Sequence, residues 1–387
     1  MQVVVVSNLY PSSKEPTRGI YTQQLVSHLQ EHVNVRVVAP TAWRPRSAII
    51  GKLVGRNTVP KYEVLQGVEV WHPSYFVIPK TARFTYGACF FLGIYNTLKR
   101  LNESEKIDLL NVHWAYPDAV GVIYAGKKLG IPVVVHALGC DINEFAKYPW
   151  RREQIAWALQ HAAMNVYVSQ GLAEEARALG VKHDRNRVIL NGVDQTKFKQ
   201  GNAQQVRQAL NLPQDKKLVL YAGNFNVEKG LIYLIEAWHQ VHEAKPDAVL
   251  VVVGSGPEEN SVRERIGQLK LESSILMLGR QPHDKMPQFL QAVDLLCLPS
   301  LREGCPNIVL EALSSGAAVV GSAVGAVPEL VGNDRGLVVP PRNSDALGLA
   351  LIQALDTHWP QEPWRWMSWH DNALKVIEAY REALRTV

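Results

Sequence analysis

Short apolar runs recur along the chain, each followed by a polar loop and then by a stretch with helical periodicity. Val3-Val-Val-Val6 opens the series, and a strand is expected over 3–7, with others over 33–38, 108–112, 132–135, 164–168 and 188–190. The runs are continuously apolar rather than alternating, as strands buried on both faces must be. Helices are expected over 20–29, over 119–128 closed by Gly130, and over 170–179 capped by Ser169. After a polar interval the same rhythm resumes, with strands at 218–222, 248–253, 274–278, 293–299 and 317–321 and a helix at 231–242. Strand and helix in strict alternation imply parallel, doubly wound sheets. The fold class expected is therefore α/β, in two similar Rossmann-like halves facing a central cleft.

Length and composition refine this division. A chain of 387 residues, 47% hydrophobic and 20% charged, is expected to make about two soluble globular domains. We place the first at 1–197, a polar linker at 198–216, the second at 217–365, and a final helix within 366–387 that crosses back to the first domain. Trp359, Trp364, Trp366 and Trp369 precede that helix and are read as packing residues. No apolar run is long enough to span a bilayer; the longest, 84–98, carries Thr85, Asn96 and Thr97 and reads as a buried helix. Met1 leads directly into the first strand, so no leader is expected. Cys89, Cys140, Cys297 and Cys305 are scattered without a C-x-x-C spacing, which fits a reducing cytoplasm. The basic excess lies in the first half, and no acidic residue occurs from Arg36 to Lys61. The basic, apolar stretch 42–61 suits either a flexible loop or a segment facing an acceptor or an anionic membrane surface.

The stretch Pro299-Ser-Leu-Arg-Glu-Gly-Cys-Pro-Asn-Ile-Val-Leu-Glu-Ala-Leu-Ser-Ser-Gly316 joins a buried strand to a helix. Pro306 suits the first helical position and Gly316 the C-terminal cap. The amides of Asn307, Ile308 and Val309 would then lack acceptors within the helix, and such an end attracts anions. Glu303 and Glu311 bracket it; carboxylates accept well from sugar hydroxyls, so phosphate at the amides with hydroxyls on either side describes a nucleotide sugar. The plain alternative is a helix start with acids favoured by the helix dipole. Gly254-Ser-Gly256 follows a strand, but Glu259 occupies the third glycine position of a dinucleotide fingerprint, which argues against NAD. No D-x-D pair occurs anywhere, so no metal-chelated diphosphate, no metal site and no cofactor are expected. Helix amides and a fixed cation can neutralise a diphosphate instead. Lys229, in a glycine-flanked loop after the first strand of the second half, is the candidate cation; alone it would read as a surface lysine.

Taken in order, Arg18-Gly19, Asn191-Gly-Val-Asp194, Glu228-Lys-Gly230, Glu303-Gly-Cys-Pro-Asn-Ile-Val-Leu-Glu311-Ala-Leu-x-x-Gly316, Val327-Pro-Glu329 and Gly336-Leu-Val-Val-Pro340 resemble the family 4 retaining glycosyltransferases of the GT-B fold. The resemblance covers nearly the whole chain. It implies that Glu303 binds donor-sugar hydroxyls, that Glu311 binds the ribose, and that the amides of Asn307 and Ile308, in the loop and helix start around Cys305, hold the diphosphate. Lys229 would neutralise the leaving charge, Gly19 would line the opposite wall, and Arg280 with Gln281-Pro-His283 would lie near the base.

Two departures stand out. Asn224 occupies a position where the family often has arginine, and Leu138 one where many members have histidine. His113, His136 and Asp141 are therefore the candidates on the acceptor side, each against the alternative of a structural role. The activity implied is transfer of a sugar from a UDP- or GDP-sugar donor to an acceptor hydroxyl, with retention and without a metal. Surface polysaccharide or glycolipid synthesis at the inner face of the cytoplasmic membrane would supply a lipid-linked acceptor. A sugar-nucleotide epimerase or hydrolase, and a non-catalytic binding subunit, are the alternatives.

Overall fold

The computed structural model describes residues 1–43, 59–77, 83–181, 184–332, 334–360, 362 and 364–385. The chain divides into two units, Met1–Leu190 with Trp369–Val387, and Asn191–Ser368. The basic stretch 42–61 lies largely outside the described residues, so its reading as a surface segment is not addressed by them.

The strands of the first unit are β1 (Gln2–Val6), β2 (Asn34–Val38), β3 (Thr41–Trp43), β4 (Tyr62–Leu65), β5 (Val68–Trp71), β6 (Ser74–Phe76), β7 (Leu109–His113), β8 (Val133–Ala137), β9 (Met164–Tyr167) and β10 (Asn186–Val188). Eight of them form one sheet in the order β10-β9-β8-β7-β1-β2-β5-β4, while β3 and β6 pair separately. The large sheet is parallel except for the β4–β5 edge hairpin. Every residue of β1 is buried, as a central strand covered on both faces requires. On one face Val3, Val5, Leu109, Val134 and Val166 pack under helices Ile20–Leu29 and Trp369–Arg385. Helices Tyr86–Ser104 and Val120–Leu129 pack together elsewhere on this unit, burying Phe90, Ile94 and Leu98. The run at 84–98 is thus one-sided rather than buried throughout, since Phe84 and Leu92 are exposed.

The second unit carries β11 (Lys217–Ala222), β12 (Ala248–Val253), β13 (Ile275–Gly279), β14 (Leu295–Leu298), β15 (Ala318–Ser322) and β16 (Gly336–Val339). Their order is β13-β12-β11-β14-β15-β16, all parallel. Counted along the unit this is 3-2-1-4-5-6, the dinucleotide-fold order, with its reversal between β11 and β14. Helices Leu231–Ala244 and Ser344–Asp356 pack on each other, and Trp238 is fully buried in the core beneath them.

The stretch 198–216, expected to be a linker, instead belongs to this unit. Its polar composition hides helix Ala203–Ala209, capped by Asn202 and packed on helix Met286–Ala292. Arg207 fastens it through an ion pair to Asp294 of 3.0 Å and a hydrogen bond to the Ala292 carbonyl of 2.7 Å. Trp369 is the most deeply buried of the four tryptophans before and at the start of the last helix, while Trp364 and Trp366 stack on each other at 4.9 Å.

Candidate functional site

The chain winds from β11 through β12 to β13, then crosses back to place β14 on the other side of β11. Loops leaving neighbouring strands at such a reversal diverge, and the crevice between them is where doubly wound sheets bind ligands. Here the two loops are 223–230, after β11, and 299–306, after β14. Phe225 anchors the first: it is fully buried and its N–H donates to the Ser255 carbonyl at 3.0 Å. That packing accounts for Gly254-Ser-Gly256, which carries a neighbouring loop rather than a dinucleotide. The Asn226 side chain caps the single turn Val227–Lys229 by accepting from the Lys229 N–H at 3.1 Å.

Gly230 then makes the meeting of the loops possible. Its φ is +65°, and a Cβ there would stand 2.1 Å from the Pro299 carbonyl oxygen. No other residue type permits this approach without moving backbone. The Leu301 N–H donates to the Glu228 carbonyl at 2.8 Å, closing the two loops together. Lys229 Nζ consequently lies 2.8 Å from Glu303 Oε1, which also accepts from Ser300 Oγ at 2.6 Å. Glu303 is nearly buried, whereas the Lys229 side chain remains about one-third exposed (32%).

Helix Asn307–Ser314 starts beside this pair. Pro306 is its cap rather than its first residue, with extended backbone, and the Val309 N–H turns back to the Pro306 carbonyl at 3.0 Å. Of the three amides expected to be open, Asn307 and Ile308 are therefore the two that remain for an anion. The Asn191 side chain reaches this start from its own loop, donating to Asn307 Oδ1 at 3.1 Å and to the Cys305 carbonyl at 3.5 Å. Trp366 in turn donates to the Asn191 carbonyl at 3.0 Å, so the Asn-Gly-Val-Asp motif sets the position of the helix start. Burial pushes the Cys305 thiol up to about 12, which leaves it neutral and its role confined to shaping the backbone.

Glu311 lies one turn beyond Asn307 on the same helix face. It is buried, with Oε1 3.4 Å from His283 Nε2, and the hydrogen bond to Glu311 raises the His283 pKa above the ordinary imidazole value. Arg280 follows the end of β13 and is exposed, and Asn224 is exposed in the loop after β11. The second unit thus brings together Lys229, Glu303, Cys305, Asn307 and Ile308, with Glu311 on the same helix.

The first unit treats its expected site residues differently. Gly19 has φ +66°, and a Cβ there would stand 2.1 Å from the Leu9 carbonyl oxygen, so the fold already demands glycine at this position. His113 and His136 face into the core rather than toward a ligand. His113 is only 2% exposed, its ring 4.6 Å from that of His136, and Asn111 bridges them with bonds of 2.9 and 3.1 Å. Tyr380 of the last helix closes the network by donating to Asn111 Oδ1 at 2.8 Å. Burial lowers the His113 pKa to about 3, so it is neutral and unsuited to act beside a reacting carbon. Asp141 is likewise fully buried, accepting from the amides of Ala115 at 2.8 Å, Gly139 at 2.7 Å and Leu138 at 3.1 Å. It fastens the loop after β8 to the loop after β7. Asp118, absent from the expected set, does the same for Asn8 with bonds of 2.8 and 2.7 Å. Single buried aspartates like these carry no motif, which is why the sequence did not flag Asp118.

Two family models match successive stretches of the chain. Residues 19–197 match the model for Glycosyltransferase Family 4, and residues 202–365 that for Glycosyl transferases group 1. A Bacillus subtilis (strain 168) protein, TuaC, named as a teichuronic acid biosynthesis glycosyltransferase, is 28% identical over 361 residues, 91% of this chain and 89% of its own length. An Escherichia coli UDP-Gal:α-D-GlcNAc-diphosphoundecaprenol α-1,3-galactosyltransferase is 28% identical over 282 residues, covering 68% of this chain and 70% of that protein. Among solved structures, Anabaena HepE in complex with UDP-glucose superimposes with a TM-score of 0.67 at 17% identity, covering 100% of this chain and 99% of that one. The fold is the GT-B arrangement of two Rossmann-like units, and the chain belongs to the family 4 glycosyltransferases.

Proposed function

We propose that this glycosyltransferase moves a sugar from a UDP- or GDP-sugar to an acceptor hydroxyl, with retention and without a metal ion. The observation that carries the reading is the Lys229–Glu303 pair, 2.8 Å apart at the β11/β14 reversal beside the open amides of Asn307 and Ile308. When a donor binds, its diphosphate takes those amides and the Lys229 ammonium, and Glu303 exchanges Lys229 for sugar hydroxyls. Glu311 holds the ribose, with Arg280 and His283 on the side of the base. The bond from the anomeric carbon to the diphosphate oxygen then breaks, and the charge left on that oxygen meets fixed donors already in place. The acceptor oxygen forms the new bond on the same face of the sugar, and its proton passes to the departing diphosphate. No protein nucleophile or base is required, in keeping with a site rich in donors and in buried, neutral Cys305.

The first unit supplies the acceptor side in this reading. The names of the two relatives support an acceptor in polysaccharide synthesis, one of them a lipid diphosphate sugar. A panel of UDP-, GDP- and ADP-sugars in thermal unfolding tests the donor. The preferred donor at a hundred times its Kd should stabilise by about 2.7 kcal/mol. A panel without any shift removes the reading, and a shift abolished by a chelator removes its metal-free part.

A further inference from the structure

The first unit holds a cavity of about 440 Å³ whose use the donor site does not explain. It opens where β1 and β7 end, at the reversal of the first sheet, and Asn8, Trp114 and Pro117 line it there. Its walls are aromatic, with Tyr75, Tyr86, Tyr116 and Phe145 joining Trp114. Two arginines, Arg83 and Arg151, stand on the same cavity.

Arg151 is the anomaly. It is 5% exposed, near the start of helix Pro149–His161, with its guanidinium 4.7–5.8 Å from the rings of Tyr148, Trp150, Phe145 and Tyr116. Its Nε is buried without a hydrogen-bond acceptor, and among the described residues no carboxylate pairs with it. The buried aspartates of this unit are engaged elsewhere, Asp118 by Asn8 and Asp141 by three amides. Burial, and then the nearby Arg83 charge, depress the Arg151 pKa, yet a guanidinium stays charged. A buried cation beside a like charge and without a counter-ion is an unfavourable arrangement. Ring faces offset part of that cost. An incoming anion would reverse each remaining contribution at once, and a forked guanidinium suits the oxygens of phosphate.

We propose that this cavity binds the phosphate of a phosphorylated sugar, the acceptor of the transfer reaction described above, on which this identification rests. Arg151 and Arg83 hold the phosphate, while the aromatic walls cover the C–H faces of the sugar ring. Phosphate on a soluble sugar and diphosphate on a lipid-linked sugar share this chemistry.

Tryptophan fluorescence titrations of the full chain test it, with three probes: N-acetylglucosamine, its 1-phosphate, and the same sugar on a short prenyl diphosphate in detergent micelles. The phosphorylated sugars should bind at least about tenfold more tightly than the neutral one. Binding of the 1-phosphate identifies a soluble sugar phosphate as sufficient, and binding of the prenyl form alone assigns the site to lipid-linked acceptors; either supports the proposal. Arg151→Gln should abolish the preference, Arg151→Lys should retain part of it, and Arg83→Gln should weaken it severalfold. Should Arg151→Gln not fold, the half-buried Arg83→Gln carries the test. Equal binding of neutral and phosphorylated sugars, or an unchanged preference in the glutamine variants, overturns the assignment. Thermal shift with the panel of UDP-, GDP- and ADP-sugars on the same protein separates the two readings. Donor stabilisation without a phosphate preference removes only this cavity's role, whereas a phosphate preference without donor stabilisation removes the donor reading and leaves the cavity standing.

Discussion

Each unit reverses its strand order once, at β1/β7 in the first and β11/β14 in the second, and the two reversals use their charged residues in opposite ways. In the second, Lys229 and Glu303 face each other at 2.8 Å and keep some access to solvent. In the first, Asp118 and Asp141 are fully buried and consumed in tying loops together, and the histidines are sealed under the last helix. A carboxylate that accepts three backbone amides is already saturated, whereas one that accepts from a lysine and a serine can exchange partners. The position of a residue at a strand end therefore does not by itself make it available to a ligand.

The largest expected effect is on acid stability. Unfolded imidazoles bind protons near pH 6.5, while folded His113 resists down to about pH 3 and His136 is held well below its ordinary value. Through these two imidazoles the unfolded state binds more protons in this window, withdrawing roughly several kcal/mol from the first unit between pH 7 and 4. The carboxyls of Asp118 and Asp141, raised by burial, oppose that loss by taking up protons in the folded state. Hydrogen exchange followed across that range should show first-unit amides opening before those of the second. The reverse order would break the contrast.

Next comes Asp141→Ala, which leaves the amides of Ala115, Leu138 and Gly139 without their acceptor. Urea unfolding should register a loss of about 3–5 kcal/mol, against less than about 1 kcal/mol for Glu303→Gln. Similar losses from the two variants would mean that Glu303 is as structural as Asp141. Lys229→Ala should lower kcat/KM by about 10²–10³-fold while changing stability by no more than about 1 kcal/mol, because the pair is partly exposed. Loss of stability in step with activity would contradict its assignment to the donor.

The smallest effect concerns His283. Its folded pKa is raised by Glu311, so its contribution is fully present below about pH 6.5 and disappears as pH rises through the folded value. With the imidazole 42% exposed, screening keeps that contribution below about 1 kcal/mol. The melting temperature of wild type minus that of His283→Gln should be positive at pH 6 and vanish by pH 9; a constant difference would show that the histidine acts by packing alone.

Much of this was readable from the chain. Short, valine-rich apolar runs such as Ala248–Val253 read as strands covered on both sides, and the helix after Ser169 starts with that side chain accepting from the Leu172 N–H at 3.2 Å. The proposed donor site was readable because Glu303, Pro306 and Glu311 sit at fixed spacing around a helix start. What escaped had no local signature. Helix Ala203–Ala209 exposes polar residues and is held by Arg207 to a distant Asp294. His113 and His136 stood as candidates because Leu138 occupies the position of the usual histidine; the parallel register that sets them side by side, and the last helix that seals them through Tyr380, are long-range features. Arg151 was invisible for a related reason: its meaning lies in the lack of a carboxylate partner among the described residues, which only three-dimensional packing reveals. The β4–β5 hairpin could have been found, since Gln66-Gly67 joins two alternating segments and both residues adopt positive φ.

The return of Trp369–Arg385 to the first unit has a consequence for synthesis. The chain leaves that unit at Leu190 and rejoins it at Trp369, so the whole second unit is an insertion within the first. During translation the second unit has emerged complete while the first still lacks Trp369, Val376, Ile377 and Tyr380. Until the ribosome delivers them, helix Ile20–Leu29 covers its part of that face alone, and the His113–Asn111–His136 network lacks Tyr380. The domain begun first is therefore the one finished last, and a nascent chain stalled near its end would present a half-covered sheet face to chaperones rather than a folded enzyme.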